Sequence, residues 1–452
     1  MPERIGRSRA ARRAPGARTP DCSPAIHAQK PGGLYHLRMS TASAMRQAEA
    51  TTTVVAGSPP DAANTVPGST TIGNTTDRLE AMLARADIRV LRPPRHAAAR
   101  AWDVQLHDER LAPRVQREGL VGLGDAYVDG WWECTALDEL FDRALSADLP
   151  ASLASHPRVV LEYLNHRLRN LQNRPHARSN VHEHYDMGND VFQATLDPYM
   201  QYTCGYWKDA ADLNQAQINK LDLTCRKIGI GPGMTVLDLG CGWGGFARFA
   251  AERFGARVTG VTLSTEQLGY AREFCRNLPV EFRLHDYRDT RGTFDRVVSI
   301  GMFEHVGPKN YRTAMRVVHR CLKDDGLALI HFFATRDSFP NRTHSEVAWI
   351  NKHIFPGLVV PSLKQIGDAI DGLFVLEDLH NFGADYDPTL MAWGANFERN
   401  WPSISATYGD RFYRMWRYYL YSCAGAFRAR EYQLWQLVLS KHGVRGGYAS
   451  IR

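Results

Sequence analysis

Hydrophobic positions along the chain recur with two different periods, and the place where the period changes divides it. Arg78 to Ala86 and Ala136 to Leu145 repeat apolar residues at helical spacing, and Ile88 to Leu91 reads as a strand. Residues 77–169 are therefore expected to form a small α+β domain. A polar stretch without hydrophobic period, Asn170 to Asn180, is expected to be a linker. Beyond it, Thr235 to Leu239, Arg257 to Thr262, Val280 to Leu284, Asp295 to Ile300 and Leu327 to Phe333 are β-rich runs separated by helix-length segments. That alternation predicts a parallel, doubly wound α/β sheet within residues 181–452.

Residues 1–76 show no period at all and mix Arg, Ala, Pro, Ser and Thr. Such a segment cannot offset its ordering entropy, so a disordered tail is expected there. Its Arg-rich, acid-poor start resembles an organelle transit peptide. A disordered extension, or an early start codon with Met39 and Met45 as rivals, fits its non-amphipathic length better.

Composition narrows the class. A chain of 452 residues with 44% hydrophobic and 10% aromatic content can bury a large core, which excludes a wholly disordered or collagen-like protein. Its apolar runs fall short of the roughly 18 residues that cross a bilayer. The net charge is +7, yet residues 1–76 alone carry nine Lys/Arg against four Asp/Glu. The excess sits in the tail, so no nucleic-acid partner is expected. Cysteines at 22, 134, 204, 225, 241, 275, 321 and 423 have no paired spacing and read as free cytosolic thiols. His182 and His184 lack a nearby third ligand, and no metal is expected. The adjacent Trp131 and Trp132 suit either a lipid surface or a core, and the core is the simpler reading.

The chemistry concentrates at Val236-Leu-Asp-Leu-Gly240-Cys-Gly242-Trp-Gly244-Gly245, where a strand turns into a helix. Gly240, Gly242 and Gly245 satisfy the dinucleotide fingerprint, so a nicotinamide cofactor competes with a sulfonium one. The dinucleotide reading requires an acid about 20 positions on, and the second strand ends instead in Gly260-Val-Thr262-Leu-Ser. Asp238 puts a carboxylate at the mouth of the turn, suited to a cationic ligand and wrong for a pyrophosphate. S-adenosylmethionine (SAM) carries both a sulfonium and an ammonium. A glycine turn with no ligand remains the third alternative.

Six blocks then carry a resemblance. Asp-Leu-Gly-Cys-Gly-Trp-Gly-Gly resembles the SAM motif of class I methyltransferases. Around it stand His184-Tyr-Asp-Met-Gly-Asn-Asp, Tyr202-Thr-Cys-Gly-Tyr-Trp, Gly301-Met-Phe-Glu-His-Val-Gly-Pro-Lys-Asn-Tyr, Ile350-Asn-Lys-His-Ile-Phe-Pro-Gly, Asn381-Phe-Gly-Ala-Asp-Tyr and Cys423-Ala-Gly-Ala-Phe-Arg-Ala-Arg. In this order they resemble the cyclopropane-fatty-acyl-phospholipid synthases, of the mycolic acid cyclopropane synthase family, from about residue 85 to the C-terminus.

The resemblance implies a Rossmann-like SAM-dependent methyltransferase sheet, with the small N-terminal domain present. It implies that Tyr202 and Thr203 close over the methionine portion of SAM, with Val236, Asp238, Gly240, Gly242 and Gly244 cradling it. Thr262 and Gln267 would meet the ribose, and Asp286, Tyr287 and Arg288 the adenine. Cys204, Glu304, His331 and Tyr386 would surround a bound bicarbonate acting as general base. Cys423 is a second cysteine candidate, ranked lower because Phe412, Trp416, Tyr419 and Phe427 share its helix and suggest core. The family's usual Ile two residues after the histidine is Phe333 here, which changes pocket volume rather than the backbone donor.

The reaction so implied adds a methylene from SAM to the cis double bond of an unsaturated phospholipid acyl chain, through a carbocation deprotonated by bicarbonate. The implied partners are a bilayer and a second copy of the chain in a homodimer. The implied location is cytoplasmic, peripherally associated with the inner membrane. Two alternatives stand beside it: a SAM-dependent lipid methyltransferase leaving a methyl or methylene branch, and a noncatalytic lipid- or nucleotide-binding protein.

Overall fold

The computed structural model describes residues 69–92, 99–149, 170, 172–174, 188–338 and 344–452. The expectations for residues 1–68, for His182 and His184, and for most of the linker lie outside them.

Residues 65–452 form one compact unit, and its N-terminal part, the small domain, opens with helix α1 (Ser69–Ala84), which starts before the expected boundary at residue 77. Strands β1 (Val90–Leu91), β2 (Val104–Leu106) and β3 (Trp132–Glu133) form a three-stranded sheet in that order. Among the described residues, helices α2 (Leu111–Val128) and α3 (Leu137–Ser146) also belong to it. α3 buries Leu137 and Leu140 and keeps Asp138, Glu139, Asp142 and Arg143 half-buried, the amphipathic pattern its sequence carries. Trp132 is fully buried and Tyr127 packs against it, so this tryptophan belongs to the core.

The larger domain holds a seven-stranded sheet. Short helix α4 (Asn189–Thr195) and α5 (Leu213–Lys227) precede it. The strands are β4 (Thr235–Leu239), β5 (Arg257–Thr262), β6 (Val280–Leu284), β7 (Phe294–Ile300), β8 (Leu322–Thr335), β9 (Val375–Asn381) and β10 (Tyr432–Ser440). Between them run α6 (Gly245–Phe254), α7 (Thr265–Phe274), α8 (Tyr311–Cys321), α9 (His344–His353), α10 (Leu363–Ile370) and α11 (Tyr386–Arg428).

The strand order is β6-β5-β4-β7-β8-β10-β9. β4 through β8 are mutually parallel, as the alternation predicts. The sheet is mostly parallel, and β10, which the sequence pattern does not predict, inserts antiparallel between β8 and β9. β9 escapes sequence recognition because it is an edge strand of mixed polarity, with Val375 and Leu376 exposed.

The chain winds outward from β4 to β6 and then returns to β7 on the other side of β4. The crevice beyond the carboxyl ends of β4 and β7 is therefore the topological switch point, where open α/β sheets bind ligands. α11 is 43 residues long, bends at Gly409 (φ 71°) and packs on α3 and α2 of the small domain. Arg428 pairs with Asp138 of α3 at 2.8 Å and with Asp387 at 2.9 Å, fastening α3 to α11.

Candidate active site

Backbone geometry builds the crevice. Gly240, Gly242 and Gly244 all take positive φ, letting the chain leave β4 and enter α6 within a few residues. A Cβ on Gly245 would stand 1.8 Å from the Tyr199 carbonyl oxygen, so only glycine allows this approach. Past β7, Gly301 has φ +71°, and its Cβ would fall 2.6 Å from Thr203 Cγ2.

Three cavities meet at Gly301. The first is lined by Gly240, Gly242, Thr262, Gln267, Tyr287 and Arg288, six of the residues expected to hold the cofactor. Thr262 donates to Gln267 Oε1 at 2.9 Å, and Ser264 caps α7 beside them, so this wall is fixed. Asp286 does not line the cavity. Its carboxylate accepts the Arg288 backbone N–H and guanidinium, each at 2.9 Å, and so orients a residue that does.

The second cavity is lined by Tyr202, Thr203, Asp238, Gly240, Gly242 and Gln267, with Trp243 and Gly301. Asp238 is buried, and its Oδ2 has no hydrogen-bond partner. Burial pushes its carboxyl up to about 7, with the nearby Lys220 ammonium pulling the other way. An orphaned buried carboxylate oxygen in a cationic ligand's path fits the ammonium of SAM. Val236 and Gly244 stand apart from these walls: Val236 is sealed inside the sheet, and Gly244 packs toward Phe282. Both shape the turn from behind.

The third cavity is largely apolar. Glu304, Tyr386 and Cys423 line it together, with Tyr202, Thr203, Phe333 and Tyr419 among its other walls. Glu304 sits on a 3₁₀ turn after β7, and its Oε1 accepts the Phe333 backbone N–H at 2.9 Å. Its Oε2 is buried without a partner, and burial pushes the carboxyl up to about 7.

His331 and Cys204 are not on the walls of this cavity. His331 lies on β8, its ring against Phe382 at 5.6 Å, with both ring nitrogens buried and unpartnered. Burial holds its imidazole well below the usual range, so it is neutral. Cys204 donates to the Gly205 carbonyl at 3.2 Å and lies 4.0 Å from Thr389 Oγ1. Burial raises the Cys204 thiol well above its ordinary value and the Cys423 thiol to about 12, so both are thiols at neutral pH.

Lys220 is a residue the sequence reading did not single out. It is wholly buried on α5, donating to Gln201 Oε1 at 2.5 Å and to Thr203 Oγ1 at 2.9 Å. It ties together the strip that faces the second cavity. Its only sequence signal is its place on the buried face of α5 with Ala216, Gln217 and Thr224, a face where a lysine is out of character.

The parallel sheet, the glycine turn at its switch point and an orphaned carboxylate suited to an ammonium define a class I SAM-dependent methyltransferase. The description of mycolic acid cyclopropane synthetase matches residues 172–437. The chain is 50% identical to cyclopropane-fatty-acyl-phospholipid synthase of Escherichia coli K12 over 345 residues, 76% of this chain and 89% of that one. Among solved structures, mycolic acid cyclopropane synthase CmaA1 complexed with SAH and CTAB superposes with a TM-score of 0.55 at 31% identity, covering 58% of this chain and 98% of that one. Cyclopropane synthase MmaA2 from Mycobacterium tuberculosis gives 0.56 at 28%, with the same coverage. This chain belongs to the mycolic acid cyclopropane synthetase family.

Proposed function

We propose that the enzyme transfers a methylene from SAM to the cis double bond of an unsaturated phospholipid acyl chain and closes a cyclopropane ring. The observation that carries this reading is the position of Gly301, which borders the two cofactor cavities and the apolar cavity alike. A methyl on the sulfonium would face hydrocarbon there, not water.

Bound SAM supplies the electrophilic methyl. The π electrons of the olefin form the first carbon–carbon bond as the sulfur–methyl bond breaks, which leaves a carbocation on the acyl chain. Loss of a proton from the new methyl gives the electron pair that closes the ring. Tyr202, Tyr386 and Tyr419 surround the reacting chain with aromatic faces, which stabilise a cation without reacting with it. Apolar walls keep out water, which would otherwise trap the cation as an alcohol.

The proton acceptor must stand beside the new methyl. Bicarbonate supplies that base when bound, and the residues present fit it. Glu304 Oε2 is a buried acceptor without a partner at the cavity wall; His331, unpartnered and neutral, lies off that wall, and its one N–H would serve an anion only from behind it. Glu304 orients such an anion from the cavity wall, with Tyr386 beside it. Phe333 contributes through Glu304, since its backbone N–H is already given to that carboxylate.

No described helix is long and apolar enough to cross a membrane, so the enzyme would meet its lipid from the surface. Incubation with SAM and unsaturated phospholipid vesicles, with and without added bicarbonate, tests the reading. The acyl chains should gain one CH₂ and lose their unsaturation, faster with bicarbonate. Unaltered lipid under saturating SAM would overturn it.

A further inference from the structure

The reaction cavity has a second apolar space beside it. Ile350 of α9, Cys423 of α11 and Tyr432 of β10 border both. The second space lies between the domains: α1 contributes Leu79, Met82 and Leu83, and α3 contributes Leu140, Ala144 and Leu145. Among the described residues, no charged side chain lines it. A polar or ionic ligand would find nothing to offset its lost hydration there, so the space suits hydrocarbon.

Its walls are tightly held. A Cβ on Gly425 of α11 would come 2.4 Å from the Asp138 carbonyl oxygen of α3, and one on Gly124 of α2 would meet the Trp349 ring at 2.5 Å. Trp349 Nε1 donates to Asp125 Oδ1 at 3.1 Å, and Arg417 Nη1 donates to Tyr127 Oη at 2.8 Å. Helices fixed this closely leave a space of defined depth rather than one that yields to its contents.

The reacting double bond lies in the middle of an acyl chain. One arm runs from it to the ester and the headgroup, which stays at the water interface. The other arm, ending in a methyl, must lie beyond the reacting carbons, and the second space is an apolar volume that shares Ile350, Cys423 and Tyr432 with the reaction cavity.

We propose that the space between the small domain and α11 receives the methyl-terminal arm, so that the small domain measures the distance from double bond to chain end. This rests on the reading of the enzyme as an acyl-chain cyclopropane synthase and adds the determinant of its specificity. Ala144 and Met82 then act as the gauge, since both reach the space from the small domain, away from Glu304 and the cofactor.

The test uses the full-length enzyme and vesicles mixing palmitoleoyl, cis-vaccenoyl and oleoyl phosphatidylethanolamine. Palmitoleoyl and cis-vaccenoyl chains share one methyl-arm length, and the oleoyl arm is two carbons longer. Palmitoleoyl and oleoyl share one carboxyl arm. Ala144→Phe, which fills the space, should lower the oleoyl to cis-vaccenoyl product ratio by roughly tenfold or more, with the palmitoleoyl to cis-vaccenoyl ratio unchanged. Met82→Ala, which enlarges it, should move the first ratio the other way, and it decides the matter if Ala144→Phe does not fold. Ratios unmoved in the folded variants, a proportional loss on all three chains, or a split that follows the carboxyl arm would overturn the gauge while leaving the reaction intact. Absence of product from every chain with the unmodified enzyme would overturn the reaction and the gauge with it.

Discussion

Glu304 accepts the backbone N–H of Phe333 through one carboxylate oxygen, at 2.9 Å, and turns the other, unpartnered, into the buried interior beside the reaction cavity. One half of the group is structural and the other is free for chemistry. Glu304→Gln keeps an oxygen for the Phe333 amide and removes the charge. Cofactor affinity should therefore stay within about twofold while turnover falls by roughly 10²-fold or more, as expected when the group that positions the base is lost. Calorimetric titration with SAM and product analysis on vesicles check the two halves, and retained turnover would contradict the role.

Asp238 makes cofactor binding depend on pH. Its carboxyl is raised to about 7 in the free protein, and an ammonium beside it favours the charged form, lowering that value in the complex. Binding then releases a proton below pH 7. Affinity for SAM should rise with pH, by up to about tenfold per unit, and level off above about 7. Lys220→Met removes the cation that lowers the Asp238 carboxyl, so the levelling point should move to higher pH; Asp238→Asn should abolish the slope. Titrations between pH 5.5 and 9, as roughly chosen around that value, measure both.

Gly301→Ala tests the meeting point of the three cavities. The new methyl would fall 2.6 Å from Thr203 Cγ2 at a φ of +71°. Strain of about 1–3 kcal/mol should appear as a lower Tm, with cofactor affinity weakened roughly tenfold or more. Gly269→Ala is the matched control, because nothing lies within 4 Å of the added atom and the position is helical. It should leave binding unchanged and raise stability by about 0.5–1 kcal/mol.

Neither cysteine is expected to act as a thiolate. Burial keeps the Cys423 thiol at about 12 and raises the Cys204 thiol still more plainly, so at neutral pH both are protonated. Cys423→Ala should retain turnover within about tenfold, the change coming from cavity shape. A loss beyond about 100-fold, with cofactor binding intact, would mean a nucleophilic or basic sulfur.

Sequence pattern reached the parallel half of the sheet well because each of those strands is a short apolar run followed by a helix. β4, β5 and β6 fall on the runs expected for them. β10 and β9 were missed because their antiparallel pairing depends on α11 carrying the chain back across the sheet, which no local pattern encodes. Asp238 and the glycine turn were legible for a chemical reason, since a carboxylate at that turn selects against phosphate. Glu304 and Tyr386 were found through their flanking motifs and share one cavity; His331 shares the motif logic yet sits off the cavity wall. Lys220 was invisible because only the folded chain shows a lysine enclosed beside Asp197, Asp238 and Cys204.

The most direct measurement uses SAM carrying a fully deuterated methyl, with the unmodified enzyme and with Glu304→Gln, on unsaturated phospholipid vesicles. The unmodified enzyme should yield acyl chains that hold two of the three deuteriums and resist hydrogenation, as a ring formed by methyl transfer and loss of one deuteron must; Glu304→Gln should yield almost none. Chains that keep all three deuteriums, or that take up hydrogen, would contradict the account.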